Sequence, residues 1–308
     1  MAPQLTAIGN PVFDIIETPY VKTEGRVLSG CSTNACLAFS KLGGRSALVG
    51  RVGEDFYKEF LSKTGEYEVH AYPLLSDESG GFHLIYHDSR MTDRTLKVLG
   101  IAGAIDYSEF PSKLLESKLF IIAPILGEVN YQFVRMLRDD IGPDRPILVD
   151  PQGLVREIDK GVVVRRPRED AYKVLSISDV FKPNEHECEV LFPGLHPSKA
   201  AVEIVRRGSK VGIVTVADRG SYVAWDNKLY HVPAYKTVER DPTGCGDVYI
   251  GAYAYKYLQT RDPLVSSAYA SAAASFMVES VGPDFPLPRK TVEERFQWIY
   301  DRVERVEA

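Results

Sequence analysis

The chain has 308 residues, 44% hydrophobic and 26% charged, enough to bury a full core as one large α/β domain or as one domain with an appendage. Its formal net charge is only −5, with lysine and arginine spread along its length, which excludes the continuous basic field of a nucleic-acid binder. No apolar run approaches the ~20 residues that span a bilayer, MAPQLTAIGN has no signal core, and Cys31, Cys36, Cys188 and Cys245 lack C-x-x-C spacing, so the expectation is a cytoplasmic protein with no membrane partner and no disulfide or zinc framework.

In chain order, Leu5 to Gly9 predicts a short buried strand, Asn34 to Leu42 a helix, Ser46 to Val52 a strand, and Asp55 to Thr64 another helix. The alternation then pauses. GGFHLIYHDSRMTDRTLKVLG, residues 80–100, reads as two strands around a polar turn, with Phe82, Leu84 and Tyr86 on one face and His83 and His87 on the other. Two histidines without acidic or cysteine partners read as surface and not as a metal site. The rhythm resumes with the strand KLFIIAPI, the helix NYQFVRMLRDD, the strand PILVD, the helical EHECEVLF, the helix SKAAVEIVRRG and the strand VGIVTVA. Ser221 to Val238 reads as a second hairpin, and helices follow at Asp247 to Gln259, Pro263 to Val281 and Thr291 to Val306. Tyr249, Tyr253 and Tyr257 form a stripe that reads as core packing. Such βα alternation implies parallel strands with right-handed crossovers. The expected architecture is an α/β, doubly wound sandwich (residues 1–12, 30–77 and 101–308) with a small β-sheet appendage (13–29 and 78–100).

The strongest chemical signal is Asp241-Pro242-Thr243-Gly244-Cys245-Gly246-Asp247, running straight into the helix VYIGAYAYKYLQ. Two glycines and a small residue let successive N–H groups point at one place, at a helix N-terminus whose dipole favours negative charge. Those amides suit the oxygens of a phosphoryl group in transfer. Asp247, in the first turn, is placed to accept the proton of an attacking hydroxyl. Taken alone, the same residues also fit an ordinary turn with an acid complementing the dipole.

The string resembles the D-T-x-G-A-G-D loop of the ribokinase family, also called the PfkB carbohydrate kinases. Other segments resemble the same family in order: Gly9-Asn10-Pro11-Val12-Phe13-Asp14, its first strand and substrate aspartate; Ser29-Gly30-Cys31-Ser32-Thr33-Asn34, its G-G-x-x-x-N element; and Arg51-Val52-Gly53-Glu54-Asp55, its V-G-x-D turn. Asp93-Arg94-Thr95 is similar to a lid segment, Asn184-Glu185-His186-Glu187 to N-x-x-E, and Thr215 to Gly220, TVADRG, to T-x-G-x-x-G. The resemblance implies a ribokinase-like fold and an ATP-dependent kinase acting on a hydroxyl of a small polyhydroxylated substrate.

Carried over residue by residue, it makes Asp247 the base and the amides of Gly244, Cys245 and Gly246 the anion hole. Asp14, Gly30, Asn34 and Arg94 become substrate-binding residues. Asn184, Glu187, Thr215 and Gly220 become ATP-binding residues, with Glu187 helping to hold Mg²⁺ through water. Asp241 matches a position associated with a monovalent cation, K⁺ in many members. Three departures stand out: Ala217 where a glycine is common, Ser29 for the first glycine of a pair, and Cys31 where ribokinase proper has lysine. Without the resemblance, Asp14 reads as a strand end and Asn34 as a helix cap, and Cys245 as a small residue given some thiolate character by the helix N-terminus.

The acceptor stays open among sugar, nucleoside and cyclitol. GNPVFD resembles nucleoside kinases, whereas VDPQGLVR, residues 149–156, resembles inositol and some ketosugar kinases; with Cys31 these favour a nucleoside or cyclitol over ribose. A sugar-phosphate acceptor needs further cations, for which Arg90 and Arg94 are available. Competing readings are a non-catalytic nucleotide-binding regulatory protein of the same fold and a dinucleotide-dependent oxidoreductase, the latter disfavoured by the absence of G-x-G-x-x-G after the first strand. Edge strands in the appendage invite pairing with a second copy, a homodimer through the lid.

Overall fold

The computed structural model describes residues 2–89, 91 and 93–307; Arg90 lies outside them. The strand LTAI is apolar but for one threonine and buried on both faces, as a strand flanked by helices must be. This is β1 (Leu5–Ile8), followed by β2 (Val12–Glu17), β3 (Val27–Ser29), α1 (Cys31–Lys41), β4 (Ser46–Gly53), α2 (Tyr57–Glu66), β5 (Val69–Ser76), β6 (Gly81–Tyr86) and β7 (Arg94–Gly100). Next come β8 (Leu119–Ile122), α3 (Tyr131–Ile141), β9 (Ile147–Val149), β10 (Arg156–Asp159), β11 (Val162–Arg165), α4 (Glu169–Ile177), β12 (Val180–Phe181), α5 (Glu185–Leu191), α6 (Pro197–Arg206) and β13 (Val211–Thr215). The chain ends with β14 (Ser221–Trp225), β15 (Lys228–Val232), α7 (Cys245–Thr260), α8 (Pro263–Met277), α9 (Arg289–Tyr300) and β16 (Glu304–Val306).

A ten-stranded sheet runs β16-β15-β14-β13-β12-β9-β8-β1-β4-β5, parallel from β13 to β5 and antiparallel beyond. Helices α3 to α6 pack on one face, while α1, α2, α7, α8 and α9 pack on the other. This is the expected doubly wound α/β sandwich. A second sheet of six strands runs β10-β11-β7-β6-β2-β3. In β6, Phe82, Leu84 and Tyr86 are buried while His83 is half-exposed beside Glu17 at 3.0 Å.

The smaller sheet is larger than the appendage read from sequence, because β10 and β11 form a hairpin whose Val162 pairs with Lys97. That hairpin, β5 and α4 are elements the sequence reading did not assign. Several boundaries also differ. Helix α1 begins three residues early, with Gly30 as its N-cap, so Asn34 lies inside the helix and is not a cap. Helix α8 stops at Met277 instead of continuing to Val281; the carbonyl of Val278 accepts from the amides of Arg240 and Asp241. Helix α9 ends at Tyr300, and the residues expected to continue it return as β16, where Val306 registers with Leu229 on the open edge of β15.

The first helix meets the last group of helices through α7, where Gly251 leaves no room for a side chain: an added Cβ would stand 2.3 Å from the carbonyl oxygen of Ala35. Gly251→Val is therefore expected to force the two helices apart and to cost about 1–3 kcal/mol or more in urea denaturation. An unchanged denaturation midpoint would show that the contact yields freely.

Candidate active site

The loop ahead of α7 brings the predicted phosphate-site residues to one place. Gly244, the N-cap, has φ of 83°, a left-handed conformation that favours glycine; a Cβ there would also meet the Asn34 side chain at 2.8 Å. The N–H groups of Gly244 and Gly246 have no acceptor among the described residues, whereas that of Cys245 donates to Pro242 O at 3.2 Å. Two of the three amides expected to form the anion hole are thus open, and the third is engaged.

Asp247 sits in the first turn of α7. Its Oδ2 accepts from Asn34 Nδ2 at 3.1 Å, across 213 residues of sequence. Burial first, then the nearby Asp150, raises its carboxyl above the usual range, while Asn34, Lys182 and Cys31 oppose the rise. Cys245 gains no thiolate character: burial and the charges of Asp241, Glu239 and Asp247 push its thiol well up, overriding the helix terminus.

Across from this loop, Asp14 on β2 is 4% exposed and accepts from the amide of Phe82 at 2.8 Å. Burial pushes its carboxyl up to about 6, against bonds from Phe82 and Ser29 and the fields of Arg94 and Arg156. Ser29, the departure from a glycine pair, thus contributes a hydroxyl to this carboxylate. Gly30 has φ of 113° and lies against the backbone of Asn10 and Val12, which ties the start of α1 to the β1–β2 turn. Arg94, at the start of β7, donates to the hydroxyl of Tyr86, which itself lies 2.9 Å from Thr243 Oγ1 in the phosphate loop. The smaller sheet therefore touches the loop directly.

On the other side, Asn184 and Glu187 form a capping box on α5: Asn184 Oδ1 accepts from the amides of His186 and Glu187, and Glu187 Oε2 accepts from the Asn184 amide at 2.9 Å. Glu187 is buried and its carboxyl is raised to about 7, chiefly by burial and then by Asp150. Thr215 ends β13 and bridges Asn184, and Gly220 follows at φ 93°, where a Cβ would collide with Val232 O. Ala217 between them takes φ 50°, the conformation for which a glycine is the common choice. Asp241 is fully buried; its Oδ1 accepts from Thr243 N at 2.9 Å, while Oδ2 has no partner among the described residues.

Two site residues escaped the sequence reading. Lys182, 2% exposed, pairs with Asp150 at 2.8 Å, and a Cβ on Gly246 would stand 3.4 Å from its Nζ. Arg156, also buried, donates to Ile125 O at 3.3 Å and lies within the fields of Cys31, Arg94 and Glu187. Both stood beside quoted motifs, Lys182 two residues before Asn184 and Arg156 at the end of VDPQGLVR, but a lysine or arginine in sequence carries no mark of burial.

Among the described residues no helix is long and apolar enough to cross a membrane. A model of the pfkB family carbohydrate kinases matches residues 156–290. A nucleoside kinase of Methanothermobacter thermautotrophicus is 26% identical, over 96% of this chain and 97% of its own length. A deoxyribokinase of Salmonella typhi is 23% identical, over 92% and 95%. Among solved structures, a pyrophosphate-dependent kinase of the ribokinase family complexed with a pyrophosphate analog and myo-inositol superposes with a TM-score of 0.80 at 22% identity, covering 94% of this chain and 99% of that one. A ribokinase II from E. coli complexed with ATP and Mg²⁺ gives 0.76 at 20% identity, covering 96% and 99%.

The position of Asp14 has a measurable consequence. Its carboxyl resonance is expected to titrate near 6, and Arg94→Gln, which removes a cation that favours the ionised form, is expected to move the midpoint upward. A midpoint in the ordinary carboxylate range would contradict the buried placement. The family-model match, the full-length kinase relatives and the shared fold make this chain similar to the pfkB family of carbohydrate kinases and mark it as a phosphotransferase of the sugar and nucleoside kinase class.

Proposed function

We propose that the protein transfers the γ-phosphoryl group of ATP to a hydroxyl of a small polyhydroxylated acceptor, a sugar, nucleoside or cyclitol. The observation that carries this reading is the Asn34–Asp247 contact at 3.1 Å beside the open amides of Gly244 and Gly246. The acceptor hydroxyl lies against Asp247, which takes its proton as the oxygen attacks. Burial makes this carboxylate more basic than one in water, and Asn34 orients it. The open amides and the α7 terminus stabilise the charge spread over the phosphoryl oxygens, and Lys182, beneath Gly246, adds a fixed positive charge. Asp14 accepts hydrogen bonds from acceptor hydroxyls, and Arg94 spans the acceptor side and the phosphate loop through Tyr86 and Thr243.

Glu187 and Asn184 suit Mg²⁺ held through water, a hard cation that neutralises phosphate charge. Thr215 and Gly220 shape the nucleotide side. The smaller sheet serves as a lid that excludes water from the phosphoryl group. Its exposed Leu99 and Ile158 favour a homodimer through the lids. The nucleoside kinase and deoxyribokinase among its relatives agree with this acceptor class.

Asp247→Asn is expected to lower kcat by ~10²-fold or more while ATP binding persists; near-wild-type ADP release would sink the assignment. Asp241 supports a monovalent cation site, since its Oδ2 is buried without a partner and a buried acceptor atom calls for one. K⁺ in place of tetramethylammonium is expected to raise turnover several-fold, roughly a kcal/mol in the barrier, and Asp241→Ala to abolish the dependence. Equal turnover in both salts would refute the site.

A further inference from the structure

Helix α1 is held at both ends. Near its start Asn34 donates to Asp247 Oδ2 at 3.1 Å. About two turns later, Lys41, its last residue, donates from Nζ to the carbonyls of Pro283 at 2.6 Å and Phe285 at 2.7 Å. The same ammonium lies 4.0 Å from the centre of the Phe285 ring and 4.6 Å from that of Tyr67, at the end of α2. Two carbonyl oxygens and two ring faces thus surround one cation. Asp284 bonds the Tyr67 hydroxyl and Glu66 pairs with Lys63; both act on Lys41 through their fields.

Burial lowers this ammonium to about 8, against the fields of Asp284 and Glu66. A charge that its surroundings disfavour adds little to the stability of a fold, and a neutral side chain of similar length would fill the place at less cost. The effect of Lys41 therefore lies in the geometry it enforces.

Pro283 and Phe285 belong to the connector between α8 and α9, residues 278–288. At the near end of this connector, the carbonyl of Val278 accepts from the amides of Arg240 at 2.8 Å and Asp241 at 3.3 Å, where the phosphate loop opens. Met277, the last residue of α8, lies against the loop: a Cβ on Gly244 would stand 3.0 Å from its Cε. Between the two ends, Gly282 turns with φ of 67° against Val27 of β3. The contacts close a ring, from Lys41 through the connector to Val278, along the loop to Asp247, and through Asn34 back along α1. Close-packed elements transmit a displacement, so releasing one link shifts the loop amides.

Resting on the kinase reading, we propose that Lys41 is a positioning residue of the phosphoryl transfer: its ammonium holds the α8–α9 connector, and through Val278 the loop from Arg240 to Asp247, in the geometry that the transferred group requires. Lys41 touches neither reactant. Preorganised amides act only when aimed at the place the phosphoryl oxygens will occupy, so its loss is felt in the transition state and not in the binding of either substrate.

The test measures ADP release from ATP with ribose, deoxyribose, adenosine, cytidine and myo-inositol, continuing with whichever turns over fastest. Lys41→Met and Lys41→Gln are expected to lower kcat and kcat/KM together by about 10- to 100-fold, the scale of a small misplacement at the reacting centre, with both KM values within about 2-fold. Lys41→Arg, which keeps a cation facing the carbonyls, is expected to recover kcat to within about 3-fold. The Tm of the neutral variants is expected to stay within about 5 °C of the wild type. Unchanged kcat, or a loss that only keeps pace with a falling Tm, would overturn the proposal; so would failure of both neutral variants to fold, which would make Lys41 a residue of the fold itself. If the wild type releases no ADP with any compound, the kinase reading fails, and hydrogen exchange decides whether Lys41 holds the loop. Amides of Arg240 and Asp241 that exchange about 10-fold faster in Lys41→Met, with α3 to α6 unchanged, support the ring of contacts, and equal rates overturn it.

Discussion

The backbone of α7 passes close to α1, with the α-carbon of Gly251 set against the carbonyl of Ala35 and Gly244 against the side chain of Asn34. The geometry of the candidate site depends on that closeness. A larger residue at either position would separate the helices, and the carboxylate of Asp247 would lose the amide of Asn34. The same packing removes water from Asp247 and raises its carboxyl, so the contact that positions this carboxylate also sets its basicity. A glycine set against Ala35, as Gly251 is, is what a close helix crossing requires.

Buried charge is the second organising feature. Asp14, Asp150, Arg156, Lys182, Glu187 and Asp241 are all among the buried residues, a concentration that would be unfavourable in a passive core. Lys182 and Asp150 neutralise each other, Asn184 and Glu187 satisfy a helix terminus as they face the site, and Asp241 keeps one oxygen unpartnered. The N-x-x-E pattern thus has a structural role whatever else it does: it starts α5, a helix of seven residues too short to form without its cap.

The smaller sheet is bound into the site and does not stand apart from it. Tyr86 and Arg94 reach Thr243, Asp14 on β2 takes the Phe82 amide of β6, and β10 delivers Arg156. A movement of this sheet would therefore disturb Asp14, Arg156 and the Thr243 loop together.

The amino-acid sequence determined the features that rest on local physics. Apolar runs such as LFII marked the central strands, the 3.6-residue period marked α3 and α6, and the glycines of DPTGCGD marked a turn into a helix, because each depends on a few neighbouring residues. Resemblance in motif order extended this to the family and to the residues from Asp14 to Asp247. Tertiary structure decided what distant contacts decide: that residues 304–306 form a strand because β15 had an open edge, and that α8 ends where Arg240 and Asp241 meet Val278. Lys182 and Arg156 became site residues for the same reason. A charged side chain reads in sequence as a solvated one, and only the packing of separate segments removed these two from water.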